Sequence, residues 1–411
     1  MSSVGIRCRV LLMTMNDSAT LELKEYQPRL VAHADLSPDD GEYLFRQYAQ
    51  QVDVEFPSPK TDHQWRLTAN GWVGYIPLPS GKGIYIAPKV PIHNLFGMLE
   101  YAYSLKSFHF LDGQVQCHTL RELYDRFAYI LAHGVLSRTR KGLYRTYIPI
   151  NKTLSHLRGR LDVRRMVRHP TSTDLACRFK RHTSDVEENQ ILAWSLSRIA
   201  HGHQCNDWVL PAVRRAYRAI HPAVTITPFN GKDCVGRSYN RLNDDYRPLH
   251  MLCRFFLDHT GPSHELGDQA SIPFLVNMGR LYELFVAEWL RAHLPSTIGI
   301  KVQDVLNIGP GLRFNLDITL FDASTSEVKY ILDTKYKDVS HPSTEDVAQV
   351  VAYSKAKNCT DAILVYPSSV ENGHDVWIGH EIRVRDVAFS LDGDLEQAGQ
   401  NFMNCLGLTS S

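Results

Sequence analysis

The spacing of apolar residues changes character twice along this chain of 411 residues, which points to a multidomain α+β protein rather than one repeated architecture. From about Leu21 to Pro91, short strand-like runs alternate with turn signals. One helix start interrupts them at Ser37-Pro38-Asp39-Asp40, where serine can cap, proline fits the first helical position and the acids suit the helix dipole. HQWRLTAN, Asn70-Gly71 and WVGYIPL read as a β-hairpin, because Asn-Gly readily takes positive φ. Beyond Pro91, helical spacing recurs in NLFGMLEYAYSL, TLRELYDRFAYILAHGVL, EENQILAWSLSRIA, WVLPAVRRAYRAI and YRPLHMLCRFFLDH. Gly261-Pro262 marks a boundary, and from Pro273 the pattern becomes one helix, three strand-like runs, a helix and a strand. The predicted organisation is a small β-rich domain over 1–115, a mainly helical domain over 116–265, and an α/β domain with a mixed sheet over 266–411.

Composition narrows the class without naming it. Lysine plus arginine (45) balances aspartate plus glutamate (44), so overall charge announces no nucleic-acid partner and local charge has to carry that question. The eight cysteines are dispersed with no CxxC pair, which predicts a reducing, cytoplasmic setting. The first residues lack the order of a secretory signal and nowhere do about 18 apolar residues run together, so neither export nor a membrane partner is expected. No GxxxxGK[ST] stretch occurs: around Gly81-Lys82-Gly83 the position for the leading glycine is Ile76. No nucleotide is expected to bind this chain by itself.

The residues that suggest chemistry lie in FNLDITLFD and VKYILDTKYK, two strand-like runs joined by a polar link at 323–327. Side chains alternate faces along a strand, so Asn315, Asp317 and Thr319 share one face of the first run. Ile331, Asp333 and Lys335 share one face of the second. Two aspartates on neighbouring strands repel, and a divalent cation relieves that repulsion. Oxygen ligands of this type suit magnesium (Mg2+), with manganese (Mn2+) as a substitute, and a phosphodiester can complete such a shell. Asp317 and Asp333 are therefore the candidate metal ligands, and Lys335 is placed to orient water or neutralise developing charge. Downstream, Ser343 and Asp346 resemble a capping box, and Gln349 and Tyr353 project from one helical face. Upstream, Met278, Leu281, Phe285 and Trp289 form one apolar side of a helix that carries Glu283 elsewhere.

This order of helix, carboxylate hairpin, helix and strand resembles the PD-(D/E)xK nuclease core, with DTK (333–335) as its acidic-x-lysine element and Asp317 matching its first aspartate. QVVAY (349–353) looks like the QxxxY element of the RecB-like branch, and Glu283 sits where some members place a helical acid. The whole arrangement resembles the McrC family, the nuclease subunits of the McrBC modification-dependent restriction system. The matching segments are IYIAPKV (84–90), GLYRTY (142–147), LRGRLD (157–162), SDVEENQIL (184–192), NMGRLYELFV (277–286), LDTKYK (332–337) and QVVAYSKA (349–356). The resemblance implies a partner, a hexameric AAA+ GTPase of the McrB kind that recognises methylated double-stranded DNA, docked through the amino-terminal region. It also implies that this chain stimulates GTP hydrolysis and cuts the DNA.

Other readings stay open beside it. The carboxylates and lysine can equally be a solvated hairpin face with a surface ion pair. The chain can be a stand-alone RecB-like repair or recombination nuclease, or a non-cleaving adaptor that activates a partner GTPase. From Arg138 to His169 ten cations face the single acid Asp162, making Arg138, Arg140, Lys141, Arg158 and Arg160 candidate DNA contacts, with Tyr144 and Tyr147 nearby. A protein interface, or pairing with Asp185, Glu187 and Glu188, is the alternative. His201, His203 and Cys205 lack a second ligand pair for zinc, and the cysteine spacing does not resemble an iron-sulfur site.

Overall fold

The computed structural model describes residues 20–103, 120–168, 174–202, 205–259, 264–266, 269–271, 273–309, 312–337, 342–368 and 374–408. The chain forms two compact units, one ending at Lys89 and one beginning at Val90. The Gly261-Pro262 boundary, His203 and the first residues of the chain lie outside the described residues.

In the first unit the helix Pro38–Gln47 starts as its sequence demands, with the Ser37 hydroxyl accepting from Asp40 N–H at 3.2 Å and Pro38 in the first turn. The expected hairpin across Asn70-Gly71 does not form. Trp65–Ala69 is the middle strand of one sheet, with Arg29–Val31 and Val52–Glu55 on its two sides. Both of its edges are filled, so Trp72–Pro77 leaves to pair with Gly83–Ala87, which also lines up parallel to Thr20–Lys24. The turn signal was right, since Gly71 has φ +67°, but a turn does not choose its strand's partner.

The second unit opens with helices Ile92–Ala102, Leu120–Lys141, Glu187–His201, Leu210–Ile220 and Tyr246–His259, each where the helical spacing lay. Tyr124, Phe127, Leu131, Leu196, Val213, Phe255 and Phe256 are buried among them. This middle part also holds a three-stranded antiparallel sheet that the apolar spacing did not reveal: Thr146–Leu154 pairs with Leu175–Thr183, which pairs with Arg160–Leu161. One face carries the half-buried Ile148, Ile150 and Phe179 and the other the exposed Tyr147, Asn151 and Lys180, but charged residues stand on both, so the apolar alternation is too short and too diluted to mark the strands.

The last third is built on a six-stranded mixed sheet. Helix α1 (Met278–His293) is followed by β1 (Ile298–Gly309), β2 (Leu312–Asp322) and β3 (Val328–Thr334), an antiparallel meander. Helix α2 (Thr344–Lys357) then crosses to β4 (Asp361–Tyr366), parallel to β3. Strands β5 (Asp375–Ile378) and β6 (Ile382–Ala388) and helix α3 (Leu395–Leu406) complete it, in sheet order β1-β2-β3-β4-β6-β5. Val350 and Tyr353 of α2 pack with Leu316, Ile331, Ala362 and Leu364 of the sheet. Phe285 and Trp289 of α1 meet Phe389 with ring centroids 4.9 and 5.2 Å apart, and Phe402 of α3 stacks on Phe389 at 5.0 Å.

Helix Ile92–Ala102 belongs to this same core although it lies far upstream. Asn94 Nδ2 donates to the carbonyls of Leu391 at 2.6 Å and Gly393 at 2.9 Å, and Tyr101 packs on Phe285 at 5.8 Å. Among the described residues no helix is long and apolar enough to cross a membrane.

Candidate active site

The polar link at 323–327 is the turn of an antiparallel hairpin, closed by Asp322, whose carboxylate accepts from Ser324 N–H at 2.9 Å and Thr325 N–H at 3.2 Å. The pairs Ile318↔Leu332 and Thr319↔Ile331 set the register, and one step further it brings Asp317 beside Asp333. The face they share is buried: Asp333 and Thr319 are each 2% exposed and Ile331 is 0% exposed. These residues therefore do not form an open, solvated ion pair on a hairpin surface.

Asp317 Oδ2 accepts from Thr334 N–H at 2.8 Å and from Thr334 Oγ1 at 2.9 Å, so β3 ends by binding a side chain of β2. Lys335 follows immediately. Its backbone N–H donates to Val365 O at 2.8 Å, and its Nζ lies 2.6 Å from Asp333 Oδ2 and 3.6 Å from Asp346 Oδ1 while donating to Gln349 Oε1 at 3.1 Å. Gln349 Nε2 in turn donates to the Tyr353 hydroxyl at 2.6 Å. That chain of contacts exists because residues four apart share a helix face and because Ser343 caps α2, accepting from Asp346 N–H at 3.2 Å. Lys337 also pairs with Asp346.

Glu283 faces the same cluster from α1. Its Oε1 accepts from Gln303 Nε2 at 3.2 Å, and burial first, then the charge of Asp317, raises its pKa from 4.5 to about 7. Burial and the Asp317 charge raise Asp333 from 3.8 to about 6, against the pull of Lys335. Asp317 is raised mainly by burial, opposed by its Thr334 hydrogen bonds. For Lys335, burial opposes the charge, yet Asp333, Asp346 and Asp317 outweigh it and hold the ammonium more firmly protonated.

The structure thus brings together all six residues singled out for chemistry in the sequence: Asp317, Asp333, Lys335, Gln349, Tyr353 and Glu283. Three more emerge only in three dimensions. Thr334 looked as if it belonged to the opposite face, but at the last residue of the strand its hydroxyl reaches Asp317. Asp346 looked like a capping residue and also meets two lysines. Gln303 left no sequence signal; it sits between the pairs Val302↔Ile318 and Asp304↔Leu316, hence beside Asp317, with φ +50° inside a strand. A non-glycine residue at positive φ costs of order 1–3 kcal/mol and is held only where its surroundings insist on it.

Among the described residues, no three His, Cys, Asp or Glu side chains already converge closely enough to hold a metal. The donor set nevertheless fits a hard cation. Asp333 Oδ2 is fully buried with the Lys335 ammonium 2.6 Å away, and since each carboxylate oxygen can accept more than one contact, the group keeps lone pairs for a cation. Asp317, Asp333 and Glu283 repel one another, which a divalent ion would relieve.

The remaining candidates are spread over the middle part. Arg138 is turned inward, 3.2 Å from Asp245, bonded to Leu242 O at 3.1 Å and 5.0 Å from the Tyr246 ring centroid. It holds the last turn of its helix to a neighbour and is not free to meet a phosphate. Arg140 and Lys141 are exposed at the end of that helix, while Arg158 lies 4.4 Å over the Phe179 ring and Arg160 stands opposite Arg178. The acids considered as their partners are engaged elsewhere: Glu187 and Glu188 pair with Arg237 at 2.8 and 3.8 Å, and Asp185 accepts from Thr225 N–H at 2.7 Å. His201 Nδ1 is 2.7 Å from the Ser197 carbonyl of its own helix.

Fold and site together describe a multidomain mixed α/β protein with a buried carboxylate-and-lysine centre on one sheet. The family described as McrBC 5-methylcytosine restriction system component matches residues 67–367, and the chain belongs to that family. It is 25% identical over 266 residues to the "Type IV methyl-directed restriction enzyme EcoKMcrBC" of Escherichia coli (strain K12), covering 61% of this chain and 74% of that protein. In three dimensions it resembles a chain of the Thermococcus gammatolerans assembly of McrB AAA+ hexamers with bound McrC. That likeness has a TM-score of 0.54 at 18% identity, covers 94% of this chain and 99% of the other, and speaks to the fold.

Proposed function

We propose that this chain is the endonuclease subunit of a GTP-dependent, methylcytosine-directed restriction complex, that its last third is a PD-(D/E)xK module, and that it hydrolyses phosphodiesters of double-stranded DNA. The observation that carries the reading is the buried pair Asp317 and Asp333 with Lys335 Nζ at 2.6 Å from Asp333. Two carboxylates and an ammonium are costly to bury together. A purely structural hairpin would gain stability from apolar residues at these positions.

Asp317 and Asp333, with Glu283 facing them, would hold Mg2+, or Mn2+ in its place. The ion would supply polarisation of the phosphate and a water of lowered pKa. The chain's own groups do the rest. Lys335, held between Asp333 and Gln349, points an ammonium at the place where negative charge develops. Gln349 and Tyr353 fix that ammonium through two successive hydrogen bonds. Gln303 keeps Glu283 turned toward the aspartates.

The partner is proposed to be a McrB-like AAA+ GTPase hexamer, engaged in part through the β-rich first unit, with this chain stimulating its GTPase. Family membership and the likeness to a chain from an assembly of McrB hexamers with bound McrC support that choice. The absence of a phosphate-binding glycine loop from the sequence is consistent with a motor supplied from outside.

The test is Asp333→Asn mixed with the partner, GTP and methylated plasmid. Cleavage should be lost while GTPase stimulation persists; undiminished cutting would remove the site assignment. One contact favours the adaptor alternative, since Lys335 already occupies Asp333 as a structural ion pair would. Titration of Mg2+ or Mn2+ by calorimetry decides: no binding to the wild-type chain supports the adaptor. Efficient cutting by the chain alone, with Mg2+ and no GTP, would instead support a stand-alone nuclease.

A further inference from the structure

The three-stranded sheet of the middle part projects charge in an ordered way. Along Leu175–Thr183, Arg178, Lys180 and His182 lie on one face, about 7 Å apart at two-residue spacing. The pairs Tyr147↔His182, Asn151↔Arg178 and Arg160↔Arg178 bring Tyr147, Asn151 and Arg160 onto that same face. All six are exposed, Tyr147 by 64%, and the Tyr147 and His182 rings lie 4.9 Å apart at 33°. Asp162, the acid that reaches this face, is committed to Arg178 through hydrogen bonds of 2.8 and 2.6 Å. Among the described residues no carboxylate pairs with Lys180 or Arg160.

We propose that this face is a nucleic-acid surface that tracks the phosphate backbone of the DNA delivered for cutting, an inference that rests on the nuclease reading above. Each strand of a duplex places one phosphate per ~3.4 Å of helix axis, and because the strand winds around that axis its successive phosphates lie farther apart in space, on the scale of the ~7 Å between these cations. Tyr147 and His182 offer flat rings for sugar or base contact at one end of the row. Such contacts position DNA without reading its sequence. The opposite face is chemically different: it carries Lys152 and Arg181 among Ile148, Ile150 and Phe179, and there Arg158 is already spent on the Phe179 ring.

The experiment measures binding of a fluorescein-labelled DNA duplex to the full chain by anisotropy, in EDTA, across a KCl series. The double variant Arg160→Gln with Lys180→Gln should lower the slope of log affinity against log salt by about 2, since each phosphate contact contributes ~0.9. Lys152→Gln with Arg181→Gln removes the same charge from the other face and should change the slope by less than half as much. Equal losses from both pairs, or none from either, would overturn the proposal. A first pair that binds DNA normally but no longer binds the AAA+ partner would also overturn it, assigning the face to a protein. Should the first pair fail to fold, protection of Lys180 from acetylation by bound duplex reads the same contact in the wild-type chain, and unchanged acetylation counts against it. The Asp333→Asn cleavage assay is read separately: if cutting is unimpaired there while the first pair loses its salt slope, the site assignment fails and the surface stands.

Discussion

Replacing Glu283 by glutamine should make the metal-free protein more stable at alkaline pH. In the unfolded chain this carboxyl loses its proton near 4.5, whereas in the folded chain burial and the Asp317 charge hold the proton up to about 7. Between those values the folded state binds more protons, so this group's stability contribution falls as pH rises through the window and levels off above it. At pH 8 ionising Glu283 in place costs about 3 kcal/mol, worked from a pKa that moves from 4.5 to about 7. Glutamine keeps the shape and can still meet Gln303, but carries no charge to repel the aspartates. Melting by differential scanning fluorimetry in EDTA should therefore place Glu283→Gln several degrees above wild type at pH 8, with the gap closing toward pH 4.5. Saturating Mg2+ should narrow the pH 8 gap by stabilising wild type more than the variant. A variant that melts at or below wild type at pH 8 in EDTA would refute the idea that these carboxylates are held against their mutual repulsion.

Gln303→Gly should release the strain of φ +50° and gain up to about 1 kcal/mol, while cleavage falls at least about tenfold because Glu283 loses its donor. Gln303→Ala keeps the strain and loses the amide, so melting and plasmid-cleavage assays on the two variants separate the effects. Lys335→Gln should reduce cleavage by about two orders of magnitude in a gel assay without weakening association with the partner. Ser343→Ala removes the cap of α2 and should cost about 1 kcal/mol in chemical unfolding. Gly41→Ala would put a Cβ 2.4 Å from Trp65 and should lower stability by about 1–3 kcal/mol in the same assay.

The centre of the site was legible because strand periodicity is local. Asp317, Asp333 and Lys335 could be sorted by face from their spacing alone, and Gln349 and Tyr353 by the turn of a helix. Gln303 was not legible, because its importance comes from lying beside Asp317 across a ladder, and register between strands is not written in either strand by itself. The same limit explains the first unit, where Asn70-Gly71 does turn but Trp65–Ala69 already has two neighbours. The middle sheet escaped for a different reason. Thr146–Leu154 and Leu175–Thr183 bury only a few residues on one face, Ile148, Ile150 and Phe179 by half, and place charge on both, so their apolar rhythm is weak and only the excess of arginine over acid hinted that something unusual lay there. Within that excess, charge alone could not separate Arg138, which braces a helix, from Arg160, which faces outward.

Asn94 bonds to the carbonyls of Leu391 and Gly393 nearly three hundred positions away, and Tyr101 lies against Phe285. The core built on the six-stranded sheet is consequently not a contiguous cassette. A ribosome must hold the early helix in waiting until the final strands emerge, an arrangement that favours slow, late closure. Truncation to the last third would strip Phe285 of a neighbour and leave it to aggregate. Conversely, a protease that nicks the intervening stretch would leave both pieces clasped together.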